Sequence, residues 1–262
     1  MTAGTRRLPP GRYRFRHLAR MEWIKLRSLR STWLALALAV IAPAGIAVAT
    51  GGGNTTSGGM SVSNTRVGML IGVLLFGVAG VLAMTGEYAS GTISATFAAA
   101  PRRLGVLAAK AAVVGAVALI AGEAAAFLSF FAGGMTLRHG ITAPALSQPG
   151  VLRAIALTGA SLSLAGLFGL GIGTIIRHTA AAITVVAGVV FVGGEFIGQL
   201  GPAIRPYLPL DIVSHSLGAT GPACLPGAAP CWLSPWSALA MLAGYAVIAL
   251  FLGGLVLTRR DA

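Results

Sequence analysis

Six carboxylates in 262 residues leave little material for acid–base or metal chemistry, so the place of each one matters. Glu123 and Glu195 stand inside apolar runs. An ionised side chain costs about 3 kcal/mol at the centre of a bilayer unless it faces protein or water, so each suits the lining of a pathway or an interhelical hydrogen bond. Cys224 and Cys231 are the only cysteines. In an oxidising compartment they are expected to close a short disulfide ring rather than remain two free thiols. Together with the distant His215 they match no usual ligand spacing, so no metal site is expected. The chain carries no Gly-x-x-x-x-Gly-Lys-[Ser/Thr] phosphate loop, no Ser-His-Asp arrangement and no nucleophile elbow. It is therefore expected to bind no cofactor of its own and not to be an enzyme.

Two charged segments stand out from this apolar background. One reads Gly86-Glu87-Tyr88-Ala89-Ser90-Gly91-Thr92-Ile93, then Pro101-Arg102-Arg103, then Lys110. The other begins Glu22-Trp23-Ile24-Lys25-Leu26-Arg27-Ser28 and continues with Arg30-Ser31. On a helix over residues 13–30, Phe15, Leu18, Met21, Leu26 and Leu29 share one arc, with Arg16, Arg20, Arg27 and Arg30 roughly opposite. That pattern predicts an amphipathic helix along the membrane surface, held by its apolar arc and by anionic lipid at about 1 kcal/mol per basic residue. Glu22 and Lys25 intrude on the apolar arc.

The elements that must position these residues are set by composition. With 56% hydrophobic and only 10% charged residues, the chain is too apolar for a soluble globular domain. Since a bilayer crossing needs about 20 apolar residues, the reading is an all-α polytopic membrane protein. Six crossings are expected, at 33–49, 67–85, 111–132, 154–176, 180–200 and 236–257, giving a membrane domain over 32–258 after an N-terminal segment over 1–31. The net charge of +13 does not point to nucleic acid, because the basic residues crowd the N-terminus and the ends of apolar runs. Fifteen of the nineteen Lys and Arg fall before the first crossing, in the alternate loops, or after the last. The positive-inside rule thus places both termini and the 86–110 loop in the cytoplasm of a multi-pass plasma-membrane protein. Ala47-Val48-Ala49 looks like a signal-peptidase site, but the basic region before it is long, and an uncleaved helix is expected. Gly68, Gly72, Gly166, Gly169, Gly171 and Gly173 are expected to let helices pack closely within the chain. The outer segment 201–235 holds seven of the thirteen prolines.

These two segments, in order and in a six-span frame, resemble the permeases of type-two ABC exporters, particularly an actinobacterial group with Glu-Tyr-x-x-Gly-Thr-Ile, Pro-x-Arg and a Lys at the third helix. The resemblance implies that the 86–110 loop contains a coupling helix docking on a separate ABC ATPase subunit. Glu87, Tyr88, Gly91, Arg102, Arg103 and Lys110 would serve that coupling. Beside them would lie the interfacial helix with Glu22, Lys25, Arg27 and Arg30. It further implies ATP and Mg on the partner subunit, a second permease subunit, identical or related, and short re-entrant helices in 201–235. The expected function is export of a hydrophobic or amphipathic substrate. Two alternatives stand beside it: a secondary transporter using an intramembrane Glu, and a non-transporting immunity or assembly protein.

Overall fold

The computed structural model describes residues 15–28, 30–51, 62–99, 103–135, 146–192, 207–208, 212–213 and 234–259. Within these the chain is helical, with no strand. The first helix, α1, runs Phe15–Ser28, followed by α2 (Arg30–Gly51) and α3 (Val62–Ala89). A short helix, α4 (Thr92–Ala99), separates α3 from α5 (Arg103–Met135). Then come α6 (Val151–Ile176), α7 (Thr179–Val192) and the last described helix, α8 (Pro235–Arg259).

Five segments are long and apolar enough to cross a membrane: Thr32–Ala49, Leu70–Ala89, Arg103–Met135, Val151–Ile176 and Pro235–Arg259. They match five of the six expected crossings and define a membrane-embedded helical protein. For the expected 180–200 crossing, α7 is apolar but is described only to Val192. Its 14 residues span about 21 Å at 1.5 Å per residue, less than a bilayer core. Several helices outrun their apolar stretches. In particular α5 starts at Arg103 rather than near residue 111, so the expected 86–110 loop is largely helix: the end of α3, all of α4 and two turns of α5.

The centre of the bundle is α6, which packs against α3, α5, α7 and α8. Sixteen of its residues are buried, many of them Gly, Ala and Ser. A Cβ at Gly80 would collide with the backbone of Gly166, and one at Gly169 with the backbone of Gly77. The α3–α6 seam is therefore a backbone-on-backbone contact that only glycine permits. That is how apolar helices gain dispersion contacts where lipid offers no hydrophobic drive. Gly171 meets Ala249 of α8 and Gly173 meets Val81 of α3 in the same manner. Gly68 and Gly72 receive Pro43 of α2. All six expected packing glycines thus serve contacts within the chain. Gly77 and Gly80, which the sequence reading passed over, form the tightest part of the seam.

The expectation for α1 changes in one respect. Much of its arc rests on protein: Leu18 packs with Val106 and Ala109 of α5, Met21 joins the same cluster, and Leu26 packs against the cluster that includes Met84, Leu107 and Leu257, while Phe15 is exposed and Leu29 lies outside the described residues. Protein covers Leu18, Met21 and Leu26 because Glu22 and Lys25, the two charges that interrupt the arc, meet partners on α3, α4 and α5. Burying them requires the helix to turn this face inward. The outward face carries Arg16, Arg20, Trp23, Ile24 and Arg27, all exposed.

Candidate functional site: a buried four-charge cluster

The charged end of the bundle is assembled from five helices. At its centre the Lys110 ammonium of α5 donates to Glu22 Oε2 of α1 and, at 2.7 Å, to Glu87 Oε1 of α3. Lys25 of α1 donates to Glu22 Oε1 at 3.0 Å, to Glu87 Oε1 at 3.2 Å and to the Thr96 hydroxyl of α4 at 2.9 Å. Two carboxylates and two ammoniums make the set electrically neutral. Glu22, Glu87 and Lys110 are buried and Lys25 is partly exposed, which places the core of the set in protein and not among solvated surface pairs. Ions this deep survive only because each has opposite charge and hydrogen bonds on several sides. Glu87 Oε2 is buried and, among the described residues, has no hydrogen-bond partner.

Local sequence explains how the four meet. Glu22 and Lys25 are three apart on α1 and so share a face. Glu87 sits in the last turn of α3, which ends at Ala89 because Gly91 adopts φ +69°, a left-handed conformation that glycine takes without strain. Ser90 binds the carbonyl of Gly86, and Ser94 that of Gly91, closing the corner. Helix α4 then turns Ile93, Thr96 and Phe97 inward and leaves Ser94, Ala95 and Ala98 exposed. Its outer face is therefore small and smooth.

A second layer ties this corner to the end of α8. Arg103 donates to the Leu257 carbonyl at 3.1 Å, its guanidinium 5.5 Å from the Phe97 ring centre. Arg177, in the turn between α6 and α7, donates to the Val256 carbonyl at 3.4 Å and stacks 5.4 Å from the Tyr88 ring centre. Both arginines lie where the last carbonyls of a helix lack intrahelical donors and the helix dipole favours a cation. Arg177 holds φ 61° to do so. Six of the described elements are thus joined at one end.

Of the expected coupling residues, Glu87, Tyr88, Gly91, Arg103 and Lys110 come together here with Glu22 and Lys25. Arg103 does not project as a free surface charge; it is occupied in capping α8. Arg27 is exposed on the outward face of α1. The backbone of Arg30 opens α2, and Arg102 lies outside the described residues. Glu195, Cys224 and Cys231 also lie outside them, as do most of 201–235. Thr96 and Arg177 were not singled out from the sequence. Thr96 reads as a helix-interior threonine, and Arg177 as a loop charge that only sets topology.

Glu123 stands apart from this cluster, roughly midway between Lys110 and Met135. Its carboxyl lies over Gly159 of α6: a Cβ at Gly159 would come within 2.5 Å of Glu123 Cδ and 2.7 Å of Oε1. Gly122 beside it is equally tight, a Cβ there falling 2.5 Å from the Gly159 carbonyl oxygen. No group of three or more His, Cys, Asp or Glu able to hold a metal ion occurs among the described residues. Compared with known proteins, the sequence matches no protein-family model and no curated protein sequence.

Proposed function

We propose that this chain is the membrane subunit of an ATP-driven exporter, working with a separate ATPase that docks at the charged end of the bundle, on its cytoplasmic side. The observation that carries this reading is the construction of the α3–α4–α5 corner. A short helix with a small exposed face projects from the bundle, and the charges behind it are buried and cross-linked to α1, α5, α6 and α8. Such a corner suits transmission of a rigid-body movement, because a push on α4 cannot be absorbed locally. Buried ion pairs also have discrete arrangements, which a partner's ATP cycle can bias. The basic excess at this end supports the cytoplasmic orientation through the positive-inside rule. The exposed Arg16, Arg20, Trp23 and Arg27 of α1 suit a headgroup region beside the docked subunit.

On this reading the apolar run 180–200 is a sixth crossing, and both termini are cytoplasmic. ATP and Mg belong to the partner, and two permease subunits form the pathway. The cargo leaves as a hydrophobic or amphipathic molecule. The test is affinity purification of the tagged chain from its native membrane in mild detergent, with mass spectrometry of what accompanies it. A Walker-motif ATPase at stoichiometric yield is expected. Its repeated absence from intact protein would end this reading and favour a secondary transporter.

A further inference from the structure

Glu123 has no counterpart in the cluster just described, and its surroundings differ from those of the buried acids Glu22 and Glu87. Lys110 to Glu123 is about 20 Å along α5, well into an apolar span. Among the described residues no group donates a hydrogen bond to its carboxyl and no cation pairs with it; the polar residues of α6 nearby, Thr158, Ser161 and Ser163, each donate to a carbonyl of their own helix. Arg153, six residues before Gly159, forms no ion pair with it. Yet the carboxyl is not loose in lipid. It lies in a notch that exists only because Gly159 lacks a side chain and Gly122 lets α5 and α6 approach. Glu123 is itself only partly buried. On the same face of α5, Leu119 and Ile120 are exposed at 43% and 72%, and Phe127 is partly buried one turn further on.

A carboxyl group without an internal partner, bordered by aliphatic and aromatic surface, has the makings of a site for one ligand chemistry. Its ionised form lacks a counter-ion, which a ligand cation would supply as the proton leaves to solvent; the apolar rim would cover the rest of such a ligand. The geometry points to Glu123, seated on Gly159, as the recognition point for a lipophilic organic cation. In the proposed exporter this names the class of cargo, an amphiphile carrying a positive charge. That name rests on the transport reading, whereas binding by the chain alone does not.

The experiment uses the full chain in lipid nanodiscs and the probe tetraphenylphosphonium, with uncharged triphenylphosphine oxide as its neutral comparison, both followed by equilibrium dialysis. The wild type is expected to bind the cation saturably at one site and the neutral compound much more weakly. Glu123→Gln should weaken cation binding by about ten- to a hundredfold, the worth of a charge-assisted contact, with its unfolding temperature unchanged or raised. Gly159→Ala, whose Cβ would meet the Glu123 Cα at 2.8 Å as well as the carboxyl, shifts the residue on α5 and should weaken binding as well. Equal binding of the cation by wild type and Glu123→Gln, equal binding of both compounds by the wild type, or no saturable cation binding would each overturn the assignment. Absence of an ATPase from the purified complex would instead strike only the exporter reading, leaving the binding result to stand by itself.

Discussion

Lys110 reaches two carboxylates that stand 65 residues apart in sequence, Glu22 on the first helix and Glu87 at the end of the third, and holds both through one ammonium group. The arrangement makes Lys110 the keystone of the charged end: without it, two buried carboxylates would share Lys25 alone. Removing one partner of a buried ion pair costs about 3–5 kcal/mol, much of it the penalty of the charge left behind. Lys110→Met should therefore lower the unfolding temperature of the detergent-solubilised chain markedly. Adding Glu22→Gln to it should recover part of the loss. A double-mutant cycle on Glu22 and Lys110 measures this directly, and a coupling near zero would show that the two groups do not act on each other.

Helix packing yields a sharper contrast. A Cβ at Gly169 would meet the backbone of Gly77, which cannot yield as a side chain can, whereas a Cβ at Gly244 meets nothing within 4 Å. Gly169→Ala should force α3 and α6 apart and cost several kcal/mol, in the range of severe overpacking. Gly244→Ala should be neutral or slightly stabilising, since alanine is the better helix former by about 1 kcal/mol. Yield of folded protein and thermal unfolding of the two variants, side by side, decide the matter. Comparable behaviour would contradict the backbone contact at the α3–α6 seam.

These contacts also show how far the sequence reaches. Apolar runs locate five long helices because lipid leaves the backbone no alternative to helix. The expected start of α5 falls too late because Arg103 and Lys110 read as the charged edge of a loop, although Leu104 to Ala109 between them are apolar or small; the two turns are helical and packed, their charges being met by Glu22, Glu87 and a carbonyl of α8. The motif residues Glu22, Lys25, Glu87 and Lys110 were legible singly. Their meeting was not, because nothing in a linear pattern says that an interruption of an apolar arc is the arc's reason for facing inward. Gly159 was silent for the same reason: its partner Glu123 lies on another helix, 36 positions away.

Arg103 and Arg177 make the end of α8 a test of the second layer. Each guanidinium satisfies a carbonyl of the last turns that would otherwise lack a donor. Arg103→Ala should leave the buried four-charge cluster intact while loosening residues 255–259. Hydrogen exchange followed by mass spectrometry should show faster exchange in that peptide and little change around Lys110. Protection unchanged at the end of α8 would mean that the capping contact contributes nothing there. Arg103→Lys should recover only part of the protection, because an ammonium cannot both bind the carbonyl and lie over the Phe97 ring as the planar guanidinium does.

On the exporter reading, the outer face of α4 separates docking from folding. Ser94, Ala95 and Ala98 are exposed and small, and a partner helix or cleft that receives α4 must fit closely around them. Ala95→Trp adds bulk to this face without touching Ile93, Thr96 or Phe97, which hold α4 to the bundle. The variant should insert and unfold like wild type while losing most of the ATPase that the proposed exporter would bring with it. Thr96→Val does the reverse. It keeps the outer face and removes the hydroxyl that accepts from Lys25, so it should cost about 1 kcal/mol of stability, the usual worth of one hydrogen bond, with association retained. If Ala95→Trp carried the ATPase at wild-type yield, the docking surface would have to lie elsewhere on the charged end, and the small face of α4 would be only a tight turn between two long helices.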